Sequence, residues 1–135
     1  MLAWLLGEPA GDEVRRLLAA AEVVITSELT LVECDRVLIR AAALKELAEG
    51  EAADRRAQLI EAAATWHVLG LSREVTERVR QLFPVEPVRT LDGIHLASAL
   101  ISRSAVTELQ MLSLDERIRT NARAMSVPLQ PPVEA

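Results

Sequence analysis

Cysteine occurs once in this sequence, at Cys34, and tyrosine does not occur at all; one phenylalanine and two tryptophans complete the aromatic set. A single cysteine excludes an intrachain disulfide, and a reducing compartment is the simplest reading. So few aromatics mean that the core is aliphatic. Half of the residues, 50%, are apolar, mostly leucine, alanine and valine, a mix that favours helix. Lysine is nearly absent as well. Lys45 is the one lysine among 15 basic residues; the others are arginines, which fork phosphate better. Base-composition bias in the genome is the plainer explanation of that choice. No apolar run reaches the length of a membrane span. Residues 1–6 are apolar but too short for a signal peptide, and they lack a basic flank. A soluble, cytoplasmic protein is expected. Glycine-rich phosphate loops, zinc-ligand spacings and a nucleophilic serine elbow are all missing. The net charge of -5 argues against non-specific attraction of the whole molecule to nucleic acid.

The 135 residues suit one domain, with no repeats and no low-complexity linker. Residues 2–6 read as a helix remnant closed by Gly7-Glu8-Pro9. A short amphipathic helix is predicted over 12–21. Val23-Val24-Ile25-Thr26 is β-branched and reads as a buried strand. Ser27 or Thr30 can cap the long helix that follows, which runs to about Leu47. A further helix is expected over 52–64, a strand over 66–69, and a helix capped by Ser72 over 73–82. The prolines of Phe83-Pro84-Val85-Glu86-Pro87 mark a loop. Helix resumes over 91–103, strand over 109–113 and helix over 116–125. Val127-Pro128-Leu129 reads as an edge strand, where proline is tolerated, and residues 130–135 as a frayed tail. Strands alternating with helices predict a parallel sheet covered on both faces, with sites beyond the carboxyl ends of the strands.

Three acidic residues stand where helices are expected to begin: Glu33, Asp92 and Asp115. Carboxylates gathered at one edge of an α/β sheet are a standard way to hold Mg²⁺ or Mn²⁺ for cutting phosphodiesters. Each acid alone also has a structural explanation. Asp115 lies in a capping-box spacing with Ser113 and Glu116. Thr90 or Asp92 can be the N-cap of its helix. Glu33 can belong to a box with Thr30, or pair with Arg36 or Arg40. Against capping for Asp92, Ile94-His95-Leu96-Ala97-Ser98-Ala99-Leu100 is nearly all apolar, so a carboxylate at the mouth of that helix is partly desolvated and wants a cation or several N–H donors. His95 reads as a packed helix residue, His67 has no acidic neighbour, and Cys34 reads as a small buried hydrophobe.

Three stretches carry a resemblance to a known family. They are Ile25-Thr26-Ser27-Glu28-Leu29-Thr30-Leu31-Val32-Glu33, Arg89-Thr90-Leu91-Asp92-Gly93-Ile94-His95-Leu96-Ala97-Ser98-Ala99-Leu100 and Met111-Leu112-Ser113-Leu114-Asp115-Glu116-Arg117-Ile118. At these residues the chain resembles the PIN-domain family, in particular its VapC-type toxins. The resemblance implies a three-layer α/β/α fold with a short parallel sheet, formed by residues 1–135 as a single domain. It implies a Mg²⁺- or Mn²⁺-dependent endoribonuclease of the toxin–antitoxin type, with RNA as substrate, a cognate antitoxin protein as partner and a homodimer as assembly. Glu33, Asp92 and Asp115 match the family's catalytic and metal-binding acids. Thr90 resembles a polar residue beside the site, and Arg36, Arg40 and Arg89 are candidate contacts to RNA phosphates.

The same resemblance sets an expectation about the start of the chain. The family opens with a strand, central in its sheet, that ends in an aspartate, typically Asp-Thr-Ser. Here residues 2–9 look like the middle and end of the helix that follows it. The domain is therefore read as N-terminally truncated, and weak metal binding with little cleavage is expected. The alternative function is a non-catalytic PIN-like protein that binds RNA or a partner. A helical interaction module whose acids are all caps is the third reading.

Overall fold

The structure is a computed structural model that describes residues 1–132. The chain forms two compact units, one spanning Met1–Gly70 and the other beginning at Leu71.

The first unit contains α1 (Leu2–Leu5), α2 (Gly11–Ala20), β1 (Ile25–Ser27), α3 (Glu28–Ala43), α4 (Glu49–Ala63) and β2 (His67–Leu69). Gly7 takes a φ of +67°, the left-handed turn that glycine enters without steric cost. Gly11 opens α2 where a Cβ would lie 2.5 Å from the carbonyl oxygen of Ala3, so only glycine lets α2 start this close to α1. Ser27 ends β1 and caps α3, its Oγ accepting the amide of Leu29 at 3.2 Å. Strand therefore passes into helix with no loop. β1 and β2 pair in parallel, Ile25 opposite His67 and Ser27 opposite Leu69. A parallel pair needs a long crossover, which α3 and α4 supply. Leu5, Cys34 and Leu59 are buried together, with Leu2, Trp4, Leu31 and Trp66 packed against them.

The second unit contains α5 (Arg73–Val79), α6 (Thr90–Ala105), β3 (Met111–Leu112), α7 (Glu116–Ala124) and β4 (Leu129–Gln130). Ser72 caps α5 through the amide of Val75 at 3.2 Å. Ile94, Leu96 and Ala97 of α6 are buried, as are Phe83, Ile118 and Ala122. Gly93 sits where a Cβ would come within 3.3 Å of Val79 Cγ1, so α5 approaches α6 closely at that turn. β3 and β4 pair in parallel, Met111 opposite Leu129.

The class is the one expected: mixed α/β with short parallel sheets and strands separated by helices. The strands of the described residues form two sheets of two strands each, one sheet in each unit. Several boundaries differ from the sequence reading. Val23 is 54% exposed and precedes the strand, which starts at Ile25. α3 stops at Ala43, short of Leu47, because Lys45 adopts a φ of 57°. α4 starts at Glu49, with Glu49 and Glu51 in its first turn, where acids complement the helix dipole. α5 ends at Val79, since Leu82 is 83% exposed and has no core contact to continue for. Gln130, expected to fray, lies in β4. The rest of the tail from residue 133 lies outside the described residues.

Candidate metal centre

The second unit holds two of the three candidate acids, Asp92 in the first turn of α6 and Asp115 just before α7. The loop before α6 is fixed by polar contacts rather than by packing alone. The Glu86 carboxylate accepts the amides of Phe83 at 2.8 Å and Val88 at 2.6 Å. The side chain of Asn121, on α7, accepts from the amide of Val85 and donates to its carbonyl, both at 2.9 Å. Chain direction into α6 is thereby set. The N-cap position is Arg89, which makes no side-chain cap bond. Thr90 and Asp92 follow inside the helix, so neither is the N-cap. Asp92 is half-buried, while Arg89 and Thr90 are exposed. The carboxylate of Asp92 thus sits at the positive end of α6 without serving as its cap.

Asp115 is different, because here the capping explanation is correct. It is the N-cap of α7, and its Oδ1 accepts the amide of Arg117 at 2.9 Å. The turn before it is held by the amide of Asp115 donating to Ser113 Oγ at 3.2 Å, and by the buried Arg119 guanidinium donating to the carbonyl of Ser113 at 2.7 Å. The Arg117 side chain folds back onto the same carboxylate. Its Nε lies 3.3 Å from Oδ1 and its Nη2 lies 3.0 Å from Oδ2. These bonds hold the Asp115 carboxyl below its ordinary value, the side-chain bond from Arg117 being the largest cause. In turn the Arg117 pKa is raised, first by Asp115 and, more weakly, by the charge of Asp92. The bonds that the guanidinium makes are to Asp115.

Glu33 belongs to the first unit. Because Ser27 caps α3, that helix starts at Glu28, and Glu33 is in its second turn rather than at its N-terminus. It is half-buried, next to the buried Cys34. Burial is the largest cause that pushes the Cys34 thiol up to about 11, with the charge of Glu33 adding to it. This thiol is a core group and not a nucleophile. Arg36 and Arg40 are exposed on α3 and line a shallow depression with Val37, Ile39, Ala43 and Leu44.

A PIN-domain family model matches residues 1–124. The chain belongs to the PIN-domain family. A PIN domain points to a nuclease, usually one that uses divalent metal ions. No curated protein matched the chain. No helix among the described residues is long and apolar enough to cross a membrane.

Carboxylates are the hard oxygen donors that such an ion takes. Neither unit by itself, among the described residues, gathers three or more His, Cys, Asp or Glu in a group able to hold a metal. Asp92 and Asp115 nevertheless offer hard oxygen donors, and Mg²⁺ is commonly bound by one or two carboxylates, with water and substrate phosphate completing the shell. A cationic group already engages Asp115, the guanidinium of Arg117. Sequence reasoning missed that residue. Its signal was an arginine two positions after a helix-capping aspartate, close enough for a fork to close on the cap.

Proposed function

We propose that the chain is a Mg²⁺- or Mn²⁺-dependent endoribonuclease of the VapC toxin type, acting in the cytoplasm and restrained by an antitoxin protein. The observation that carries this reading is the family match, taken with two carboxylates at helix N-termini of one unit, Asp92 in the first turn of α6 and Asp115 at the N-cap of α7. Asp92 and Asp115 would hold the metal. The chemistry it supplies when bound is neutralisation of charge at the phosphodiester and activation of a water.

The chain's own groups do the rest. Thr90 and Arg89, exposed at the start of α6, orient a phosphate by hydroxyl and fork. Peptide N–H groups of the first turn add donors there. Arg36 and Arg40 offer cations to RNA phosphates along α3. Glu33 enters the proposal as a third acid through its match to the family's glutamate. Residues 1–135 are read as one PIN domain, supported by a family match that runs through both units. A homodimer is part of the proposal and rests on resemblance to the toxins.

A second reading, a non-catalytic PIN protein that binds RNA or a partner, draws on the engagement of Asp115 by Arg117. Cleavage of single-stranded RNA by the purified chain decides between them. The nuclease reading expects cutting that requires Mn²⁺ or Mg²⁺ and disappears in Asp92→Asn. RNA bound but never cut, with either metal, supports the second reading. Cleavage unchanged in Asp92→Asn overturns the assignment of the site.

A further inference from the structure

One face of α3 is neither buried nor uniformly polar. Residues three or four apart on a helix share a face. Glu28, Val32, Arg36, Ile39, Arg40 and Ala43 follow that spacing on the side away from the buried Cys34 and Leu38, and all six are exposed. Val32 is 52% exposed and Ile39 46%, against 2% for Leu38. The shallow depression lined by Arg36, Ile39, Arg40 and Ala43 is the C-terminal half of this face. Charge along it is separated by sign. The acid Glu28 opens the helix, and the two arginines stand in the other half. None of these three charges makes an ion pair among the described residues.

Such a face complements itself when reversed. Glu28 and Arg40 lie about 18 Å apart along the axis at 1.5 Å per residue. Val32 and Ile39 lie between them, and the midpoints of the two pairs nearly coincide, close to Asp35. A single two-fold axis there, as an isologous interface requires, sets Glu28 of each copy beside Arg40 of the other and Val32 against Ile39. RNA fits this face less well. Glu28 repels phosphate, and the aliphatic side chains offer bases neither hydrogen bonds nor an aromatic platform.

We propose that this face of α3 packs antiparallel on the same face of a second copy of the chain, with Glu28 paired to Arg40 across the two-fold axis. This inference rests on the homodimer of the proposed function and names its interface. Val32 and Ile39 form the apolar centre, and the charges form the rim. Rim charges set orientation and register more than strength. A parallel pairing would place Arg40 on Arg40 and Glu28 on Glu28, so the antiparallel one is selected.

The test is sedimentation velocity of the full chain over a range of concentrations. Wild type, Ile39→Asp, Arg40→Glu, Glu28→Arg and the Glu28→Arg/Arg40→Glu double variant are compared, after circular dichroism confirms that each is folded. Wild type is expected to be a dimer. Arg40→Glu and Glu28→Arg each bring like charges together and raise the dissociation constant about tenfold or more. Ile39→Asp puts a carboxylate in the apolar centre and raises it about a hundredfold. The double variant exchanges the signs and recovers most of what either single variant loses. A dimer indifferent to these variants, or a double variant no better than the singles, overturns the inference and leaves the homodimer to another surface. A wild type that stays monomeric at the highest concentration reached overturns the homodimer and the inference together. Arg40→Glu that remains dimeric but binds single-stranded RNA more weakly also overturns the inference, and leaves Arg40 to RNA.

Discussion

Asn121 pairs with the peptide of Val85 as a strand neighbour would, accepting from its amide and donating to its carbonyl, both at 2.9 Å. The side chain is 3% exposed. It ties α7 to the loop that feeds α6, and so to the turn that carries Asp92.

Asn121→Ala leaves two backbone groups of Val85 without their partner. Val85 is itself exposed, so water reaches the freed groups, and the variant is expected to lose the net worth of two hydrogen bonds, about 1–3 kcal/mol in urea unfolding. Asn121→Asp loses the donor and buries a carboxylate facing the Val85 carbonyl, and should cost at least as much as Asn121→Ala. A loss below about 0.5 kcal/mol, the level of an ordinary surface change, would show that water replaces the clamp.

Arg119 does for the tail what Asn121 does for the loop. Its guanidinium donates to the carbonyls of Ser113 at 2.7 Å, Gln130 at 3.4 Å and Pro131 at 2.7 Å. It is buried, and it holds the β3 end and the β4 end together. Arg119→Met keeps the bulk and removes the donors. The expected cost is about 1.5–3 kcal/mol, the range for bonds to a charged group. Amide exchange should report where the loss falls: protection at Met111 and Ser113 drops first, because their amides donate to Pro128 and Gln130.

Cys34 is protected by burial, which pushes its thiol from an ordinary value of 9.0 up to about 11. The unfolded thiol loses its proton first as pH rises, so between pH 9 and about 11 the unfolded chain binds fewer protons than the folded one. Stability contributed by the buried neutral thiol is intact below pH 9 and declines above it. Cys34→Ser or Cys34→Ala should flatten that decline in urea melts taken from pH 8 to pH 10.5. Iodoacetamide at pH 8 should label the thiol only in denaturant. Rapid labelling of the native chain would contradict its place in the core.

Much of this was legible in the residues. Ser27 and Ser72 were readable as caps because a hydroxyl before a periodic apolar run has one common use. The alternation of strand and helix predicted parallel pairing, and both sheets pair in parallel. Asp92 and Asp115 were expected where helices begin, and they stand in the first turn of α6 and at the N-cap of α7, since motif spacing is local. What was not legible depended on partners distant in sequence. Asn121 bonds a partner 36 positions away, which no local pattern marks. Arg119 anchors a tail that read as frayed. The ends of α3 and α5 were misjudged because helix propensity continues past Ala43 and Val79, while the left-handed turn at Lys45 and the lack of core contact at Leu82 end them. Capping was weighed for Asp115 as the structural alternative to metal binding. The structure shows the cap, and with it a guanidinium that sequence spacing alone did not place.

The central claim is that Asp92 and Asp115 take a divalent metal together, and paramagnetic line broadening tests it most directly. Substoichiometric Mn²⁺ is added to the ¹⁵N-labelled chain, and amide signals are followed in wild type and in Asp92→Asn. The account predicts selective loss of the signals around Asp92–Ile94 and Asp115–Arg117, and its disappearance in the variant. Broadening centred on any other acidic stretch, or unchanged by Asp92→Asn, would contradict it.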